Sequence, residues 1–362
     1  MTSDSKTGIA AGAPSPNPLP KGEGFQRFSP QGAKIWGIFG LLLAICLYTG
    51  FSSDRFVRVG NLENLVHRTA LFGILSIGAA FVIITGGIDL STGSLVCLVG
   101  VLLPYLLVQH GWPVVAAVVA VLSISVAAGV VHGLLITKLR LQPFVVTLCG
   151  LLLYRGVARG LTGDQSQGFG VQFKSLRAIA TSRLPIFGAD NHIFHLPATT
   201  LILIIIAIVA AVFLNKTIYG RYLLALGSNP EAARYSGINV DRTTLLAYVI
   251  CSTLGGLGGM LFVLDINAAQ PSDFGNFYEL YAIAAAVLGG CSLRGGDGSI
   301  LGVVIGAAVM VVLNNAINLV HPAYQNIEFA IIGGVILIGV IVDELARRFV
   351  TARREAARHA GR

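Results

Sequence analysis

The chain has 362 residues, of which 54% are hydrophobic and only 12% are charged. Because soluble domains carry about 25% charged residues, this composition excludes a soluble globular enzyme and a disordered chain. The formal charge is +8, and residues 347–362 contain six arginines and one glutamate. The basic residues flank apolar segments and do not alternate with aromatic residues on a polar face. This pattern favours topology signals and contact with membrane lipid over nucleic-acid binding.

Ten apolar segments dominate the sequence between two polar tails. Residues 1–30, rich in Gly, Pro, Ser and Ala, form a predicted disordered cytoplasmic tail. The apolar segments cover residues 32–51, 68–86, 91–108, 113–137, 143–161, 198–216, 243–264, 281–290, 300–319 and 329–342. Since a spanning helix needs about 20 apolar residues and these runs do not alternate, residues 31–345 are predicted to form an all-α polytopic membrane domain with about ten transmembrane helices. We expect the eighth helix to begin near Phe277 and to include Glu279.

The distribution of basic residues predicts the orientation in the membrane. If the N-terminus is cytoplasmic and the chain crosses ten times, 17 of the 25 Lys and Arg residues lie inside, including those of the basic tail 346–362. Both termini are therefore predicted to be cytoplasmic. The connection 162–197 then lies outside, where Phe169, Phe173 and Phe187 are sufficient to order a small cap, and the connection 217–242 lies inside.

A weak internal repeat accompanies two Gly-Gly pairs. Gly86-Gly87 follows the second apolar segment, and Gly289-Gly290 follows the eighth. Each pair comes after a segment that runs from outside to inside and precedes a further glycine-containing stretch. This similarity indicates two halves of the same orientation.

Sequence signatures of catalysis are missing. The chain contains no GxxxxGK[ST] phosphate loop, no HExxH and no GxSxG, and its five cysteines are scattered without CxxC spacing. The neighbouring His192 and His195 are interpreted as solvated loop residues. We therefore expect neither a catalytic site nor a metal site, and no enzyme activity.

The inside connection contains a short helix with clear end signals. Asn229 is a predicted N-cap, Pro230 occupies the first helical position, Glu231 suits the positive end of the helix dipole, and Gly237 lies where a helix stops. The helix has about seven residues and a length of about 10 Å. Because so short a helix is unstable alone, it either lies on the membrane interface or docks on a partner.

The same segment resembles the coupling loop of ATP-binding-cassette (ABC) transporter permeases, in which Glu-Ala-Ala is followed by Gly four residues later. The surrounding sequence is similar to the monosaccharide branch, with permeases for ribose, xylose, arabinose and galactose. Five further segments match in order: Gly86–Ser91, Leu141–Leu148, Ala269–Pro271, Glu279–Gly290 and Asn314–Asn315. The resemblance covers residues 61–343. One departure is Tyr281, where an acidic residue is common in the family.

The resemblance implies the permease subunit of a bacterial inner-membrane sugar importer that works by alternating access. Its expected partners are two ABC ATPase subunits, a periplasmic sugar-binding protein and a second permease copy, identical or related. The chain itself would bind no cofactor, because ATP and Mg belong to the ATPase. Coupling to the ATPase would involve Asn229, Pro230, Glu231, Ala232, Ala233 and Gly237, with both alanines small enough to approach a groove in the partner.

Polar and glycine residues within the apolar segments or in the connections beside them are candidates for the substrate pathway or its gate, because intramembrane polar groups are costly. They are Gly86, Gly87, Asp89, Ser91, Gln270, Glu279, Asn314 and Asn315. For Asp89 the alternative is a structural cap of the third helix. Glu279 either orients its helix or faces the sugar, and Gln270 can contact the binding protein or the sugar. For the asparagines, hydrogen bonding between helices is favoured over substrate contact.

Two other functions stay open on the sequence. A branched-chain amino acid permease of the same superfamily would share the fold. An ion-coupled secondary transporter would need a buried acidic site, for which Asp89 and Glu279 are the available residues. The sequence does not identify the sugar.

Overall fold

The computed structural model of the protein describes residues 30–187 and 193–320 and single positions between 327 and 341. Within this part the chain forms twelve helices and four short strands. The helices are α1 (Pro30–Ser52), α2 (Val59–Ile84), α3 (Thr92–Pro104), α4 (Val114–Thr137), α5 (Pro143–Thr162), α6 (Lys174–Thr181), α7 (Ala198–Lys216), α8 (Ile218–Ser228), α9 (Pro230–Tyr235), α10 (Val240–Ile266), α11 (Tyr278–Leu288) and α12 (Ile300–Val320). The strands are β1 (Gln167–Gly168), β2 (Arg183–Phe187), β3 (Phe194–Pro197) and β4 (Ala268–Ala269), and a π-helical turn, Tyr105–Gln109, continues α3.

Eight helices of the described part are long and apolar enough to cross a membrane: α1, α2, α3 with its π-helical turn, α4, α5, α7, α10 and α12. This result confirms the predicted all-α polytopic membrane architecture. α11 has only 11 residues and begins at Tyr278, beside the predicted start. The predicted tenth segment is described only at single positions, and both predicted tails lie outside the described residues. The total of ten spans therefore stays a prediction.

The second span begins earlier than its apolar segment suggested. α2 starts at Val59 and includes Asn61 and Glu63, two polar residues that precede the second apolar segment of the sequence interpretation. Both have partners: Asn315 Nδ2 donates to Asn61 Oδ1 at 2.8 Å, and Arg183 Nη1 donates to Glu63 Oε2 at 2.5 Å. Polar residues so paired can extend a buried helix without an unsatisfied group.

The helices differ sharply in how much of their surface the protein covers. The apolar windows of α2 and α3 are 83% and 78% buried, whereas the window of α5 is 22% buried and that of α1 only 6%. α2 packs against α7, α10, α11 and α12. α2 and α3 therefore form the centre of the domain, and the large exposed apolar side chains of α1, α4, α5 and α7 form a surface suited to lipid.

A non-helical segment of consecutive turns, residues 270–277, leads along α3 into the start of α11. Cys97 Sγ donates to Pro271 O at 3.4 Å, and a Cβ built at Gly100 would collide with Phe274. Arg155 Nη1 of α5 donates to the carbonyl oxygens of Pro271 and Phe274 at 3.0 and 2.7 Å. The arginine thus satisfies backbone groups that have no helix partner, which explains how non-helical chain is accommodated beside α3.

The predicted outer cap is ordered. β1 pairs antiparallel with β4, and β2 pairs antiparallel with β3. Phe169 is fully buried and contacts Phe173, with ring centroids 6.2 Å apart. Arg177 of α6 donates to the carbonyl oxygen of Leu264 at 3.1 Å, near the end of α10. We call residues 163–187 and 193–197 the cap, and the side of the domain that bears them the cap face.

The two Gly-Gly pairs end their helices in the same way. Gly87 N–H donates to Val82 O at 3.1 Å and Gly86 N–H to Ile83 O at 2.9 Å, which is the Schellman pattern. At the end of α11, Cys291 and Gly290 repeat it with Ala286 O and Val287 O at 3.0 and 2.9 Å. Gly86 and Gly290 take the left-handed φ values of +81° and +92°. The two helix ends therefore share a C-cap motif in which Gly86 corresponds to Gly290, one residue away from the pairing of the Gly-Gly pairs, and the internal repeat stays a prediction.

The side of the domain opposite the cap carries two Lys–Asp pairs. This side carries α8, α9 and the loop 289–299, and we call it the α9 face. Lys34 Nζ lies 3.3 Å from Asp297 Oδ2, and Lys138 Nζ lies 3.5 Å from Asp241 Oδ2. When the basic residues of both tails are counted as well, the distribution along the sequence predicts that the α9 face is cytoplasmic.

Reporter fusions test this orientation. We expect fusions at Lys34 and at Arg362 to report a cytoplasmic position, because the basic residues of both regions oppose translocation. A fusion at Gly170, in the cap, should report the periplasm and serves as the matched control. If the Arg362 fusion also reports the periplasm, the number of spans is odd and the count of ten is wrong.

Candidate coupling segment and membrane-interior polar cluster

The connection between α7 and α10 contains two consecutive helices. Thr217 caps α8, and its side chain accepts a hydrogen bond from Gly220 N–H at 3.2 Å. α9 follows after the single residue Asn229. The sequence interpretation predicted α9 but not α8, because residues 218–228 mix apolar and polar types without the length of a span. α8 places the start of α9 next to the ends of the membrane-spanning helices on the α9 face.

α9 has the predicted end structures. The Asn229 side chain accepts a hydrogen bond from Ala232 N–H at 2.9 Å, and Pro230 is the first helical residue. Gly237 has a φ of +82°, and its N–H donates to Arg234 O at 3.0 Å. Ile238 N–H donates to Ala233 O at 3.1 Å, which completes a Schellman motif. The helix has six residues, one fewer than predicted.

The side chains of α9 divide between an inner and an outer face. Ala233 is only 4% exposed, so it faces the protein's own interior. This corrects the prediction that Ala233 is available to a partner, because a six-residue helix has room for one inward side chain and Ala233 occupies it. Glu231 and Ala232 are exposed, as predicted for partner-facing residues, and Tyr235 is 91% exposed. Tyr235 was missed, and a large aromatic residue in a predicted polar loop is the signal that could have identified it.

Asp89 lies in the turn between α2 and α3 and is 2% exposed. Its Oδ1 accepts hydrogen bonds from Ser91 N–H at 2.8 Å and from Ser91 Oγ at 2.6 Å. Its Oδ2 has no hydrogen-bond partner among the described residues. Ser91 itself occupies the N-cap position of α3 without a capping side-chain bond. Asp89 therefore fixes the turn that leads into α3, in agreement with the structural alternative considered for it.

Residues from three other helices close around this turn. Thr147 Oγ1 of α5 and Tyr248 Oη of α10 donate to Ile88 O at 3.3 and 3.4 Å. His132 of α4 is 2% exposed, and its Nε2 lies 3.0 Å from Tyr154 Oη. The sequence interpretation missed this cluster. His132 gave a signal, as a polar residue within a long apolar run, but the partners come from distant helices.

Glu279 lies in the first turn of α11 and is 7% exposed. A Cβ built at Gly93 would collide with its Oε2, so the carboxylate packs directly against the first turn of α3. An acidic side chain is favourable at the N-terminal end of a helix. Both intramembrane acids thus lie beside helix starts, and no hydrogen bond joins Asp89 to Glu279 in the described part of the chain.

The remaining candidate residues lie in two separate places, the segment 270–277 and α12. Gln270 Nε2 donates to Asp164 O at 3.1 Å and connects the segment 270–277 to the cap. Asn315 pairs with Asn61 as already described, which supports the favoured interhelical interpretation, and Asn318 Nδ2 donates to Asn314 Oδ1 at 3.2 Å. The structure does not bring these residues together with Asp89, Ser91 and Glu279, so their role in a pathway stays a prediction.

The glycines of the α2–α3 turn serve packing as well as conformation. A Cβ built at Gly87 would lie 2.6 Å from Tyr248 Oη, whereas Gly86 has more space and needs its left-handed φ. The described residues contain no group of three His, Cys, Asp or Glu side chains that could hold a metal ion.

Known proteins similar to this chain are membrane permeases. A family model described as branched-chain amino acid transport system / permease component matches residues 61–341. The ribose import permease protein RbsC of Escherichia coli (strain K12) is 38% identical over 306 residues, which cover 83% of this chain and 91% of that protein. RbsC of Bacillus subtilis (strain 168) is 34% identical over 313 residues, covering 86% and 92%. The xylose transport system permease protein XylH of Escherichia coli (strain K12) is 28% identical over 382 residues, covering 91% and 96%. No solved structure gives a significant match.

Substitutions at Asp89 separate its hydrogen bonds from its charge. Asp89→Ala leaves the N–H and hydroxyl of Ser91 without their acceptor, and we expect it to lower the free energy of unfolding by about 1–3 kcal/mol. Asp89→Asn keeps an acceptor oxygen and should lower it less. Thermal unfolding of the purified protein measures both, with the exposed Asp54→Ala as control. Equal losses for Ala and Asn would show that the hydrogen bonds to Ser91 do not stabilise the turn.

Proposed function

The chain belongs to the permease-component family of branched-chain amino acid transport systems, and on this premise we propose that it is the membrane-spanning permease subunit of an ATP-driven, binding-protein-dependent importer of monosaccharides. The family match covers residues 61–341, and the multi-pass architecture agrees with a translocation subunit. The observation that carries ATP coupling is α9, a helix too short to be stable alone that nevertheless has ordered caps and an exposed outer face.

The proposed substrate class follows the names of the relatives. RbsC is named as a ribose permease and XylH as a xylose permease, and both align with most of this chain. The description of the family model instead favours branched-chain amino acids, so this substrate is the second candidate. A monosaccharide is the better proposal because it comes from the names of single proteins that are similar to this chain, one of them 38% identical over 306 residues. The description of the family model applies to the family as a whole.

The proposed assembly contains two permease copies, identical or related, two ATPase subunits and a periplasmic sugar-binding protein in the bacterial inner membrane. ATP and Mg would be bound by the ATPase subunits, and this chain would perform no covalent chemistry. The outer face of α9, with Glu231, Ala232 and Tyr235, would dock on the ATPase, and the cap face would receive the binding protein. Closure of the ATPase would move α9 and change the tilt of the spans by alternating access.

The intramembrane acids have a proposed part in this change of tilt. Asp89 fixes the start of α3, and Glu279 packs against the first turn of the same helix. A change in the position of α3 relative to α11 would therefore alter the surroundings of both carboxylates. We place the gate residues Gly86, Gly87, Asp89 and Ser91 in this moving part, while Gln270 belongs to the cap-facing segment.

Reconstitution tests the proposed function. The permease, its ATPase and its binding protein in proteoliposomes should take up a labelled monosaccharide only when ATP is present on the α9 side, because the energy is supplied there. Two parallel experiments serve as comparisons. In one, labelled leucine replaces the sugar, and in the other, an imposed proton or sodium gradient replaces ATP. Uptake of leucine with ATP would favour the amino acid alternative. Sugar uptake driven by an ion gradient alone would instead identify a secondary transporter.

Variants of α9 test the docking surface. Truncation of an exposed aromatic residue at the centre of an interface costs about 2 kcal/mol or more, so Tyr235→Ala should reduce co-purification of the ATPase subunit while the permease still folds. Tyr219→Ala, an exposed tyrosine of α8 on the same face of the membrane domain, is the control. Gly237→Val should act similarly to Tyr235→Ala, because a valine at a φ of +82° costs about 1 kcal/mol or more and misplaces the helix. Undiminished recovery of the ATPase with both variants would show that α9 is an ordinary interfacial connection.

A further inference from the structure

Three backbone segments meet above α9 at glycine residues. The segments are the end of α2, the end of α8 and the loop 289–299 between α11 and α12. The glycines that form the contact, here called the glycine junction, are Gly86, Gly227, Gly295 and Gly296. One hydrogen bond joins two of the segments: Gly296 N–H donates to Ile84 O at 2.8 Å.

The contacts within the glycine junction are made between backbones. A Cβ built at Gly227 would collide with Ile84 O and with Gly296 N. A Cβ built at Gly295 would lie 2.8 Å from Gly227 O and 2.9 Å from Gly86 N. Side chains can yield by changing rotamer, but backbone groups in direct contact cannot. A displacement of one segment is therefore passed to the other two.

The junction lies next to α9 along the chain. Gly227 is followed by Ser228, whose Oγ donates to Leu224 O at 2.9 Å, and then by Asn229, the cap of α9. Two residues thus separate the junction glycine of α8 from the first residue of α9. No flexible linker intervenes, since α8 ends at Ser228 and α9 begins at Pro230.

The junction also contacts helix ends that are far apart in the sequence. Gly86 ends α2 and precedes the Asp89 turn into α3. Gly295 and Gly296 lie between the left-handed Gly290, which ends α11, and the start of α12. In the same loop, Asp297 pairs with Lys34 of α1 at 3.3 Å. A displacement of α8 would therefore be passed to the ends of α2 and α11. Through the pair of Asp297 with Lys34 it would also reach α1, the first span.

We infer that the glycine junction transmits movement of α9 to the ends of α2 and α11, so that one movement of the ATPase displaces both helix ends at once. This inference rests on the proposed function, because it assigns to the junction the step between ATPase docking and helix movement. Gly227, Gly295 and Gly296 are positioning residues, since they act through the helices that they connect.

The decisive variant is Gly227→Ala in the complete transporter, reconstituted with its ATPase and binding protein. The added methyl group separates α8 from Ile84 and Gly296 while the outer face of α9 is unchanged. We expect normal co-purification of the ATPase and continued ATP hydrolysis, with the number of sugar molecules imported per ATP reduced about tenfold, a typical coupling effect.

Two glycines provide matched controls. A Cβ at Gly306 would collide with Ala285 O, another backbone contact, but between α11 and α12 and outside the junction. Gly306→Ala should lower thermal stability yet keep the ratio of sugar to ATP. Gly60→Ala, with nothing within 4 Å of the new methyl group, should change neither quantity. A wild-type ratio in Gly227→Ala, or an equal loss of ratio in Gly306→Ala, overturns the inference.

Hydrogen–deuterium exchange of the wild-type complex gives a second test that needs no variant. Trapping the ATPase with ADP and vanadate should change amide exchange in residues 228–237 together with residues 84–87 and 294–297. A change confined to 228–237 overturns the inference even if Gly227→Ala does not fold. ATP-driven sugar uptake by the wild-type complex, measured separately, reports on the proposed function, so failure of one is distinguishable from failure of the other.

Discussion

Backbone hydrogen bonding inside a membrane is the constraint on which this structure depends. Hydrocarbon offers no partner to a free N–H or C=O group, so non-helical chain at membrane depth must be covered and satisfied by protein. The turn after α2 and the segment 270–277 are two such places. Ile88 O receives the hydroxyls of Thr147 and Tyr248, and Arg155 donates to the carbonyls of Pro271 and Phe274. Both non-helical places lie beside α2 or α3. These two helices are therefore central, because only central helices can be covered by protein on all sides.

The same constraint gives the two intramembrane acids a local reason to be present. Asp89 accepts the N–H and hydroxyl of Ser91 at the start of α3, and Glu279 lies in the first turn of α11. Each carboxylate stands at the positive end of a helix that starts within the protein interior. Their positions therefore do not require an ion pair or a substrate. The turn around Asp89 is explained by the need to start α3 inside the protein. A role in gating would require, in addition, that these helix starts move.

The sequence could predict features that depend on local chemistry. The spans follow from continuous apolar runs, and the ends of α9 follow from Asn229, Pro230 and Gly237, whose side-chain and φ requirements are local. It could not predict features set by tertiary contacts. The start of α2 lies among polar residues that become compatible with a buried helix only through partners on α12 and β2. Within the cap, the contact of Phe169 with Phe173 depends on neighbours in sequence and was predictable, whereas the pairing of β1 with β4 joins distant parts of the chain and was not.

The orientation of α9 was beyond sequence analysis for a different physical reason. A helix of six residues makes fewer than two turns, so it shows no periodic pattern that distinguishes its faces. Only the structure reveals that Ala233 points inward and that Tyr235 points outward. Such a helix is unstable alone, and here the buried Ala233 and the caps at Asn229 and Gly237 hold it in place before a partner binds. A surface ordered in advance loses less conformational entropy on docking. Rigid attachment of α9 would also be needed to transmit a movement of the ATPase to the spans. If α9 refolded when the ATPase moved, the displacement would not reach the membrane helices.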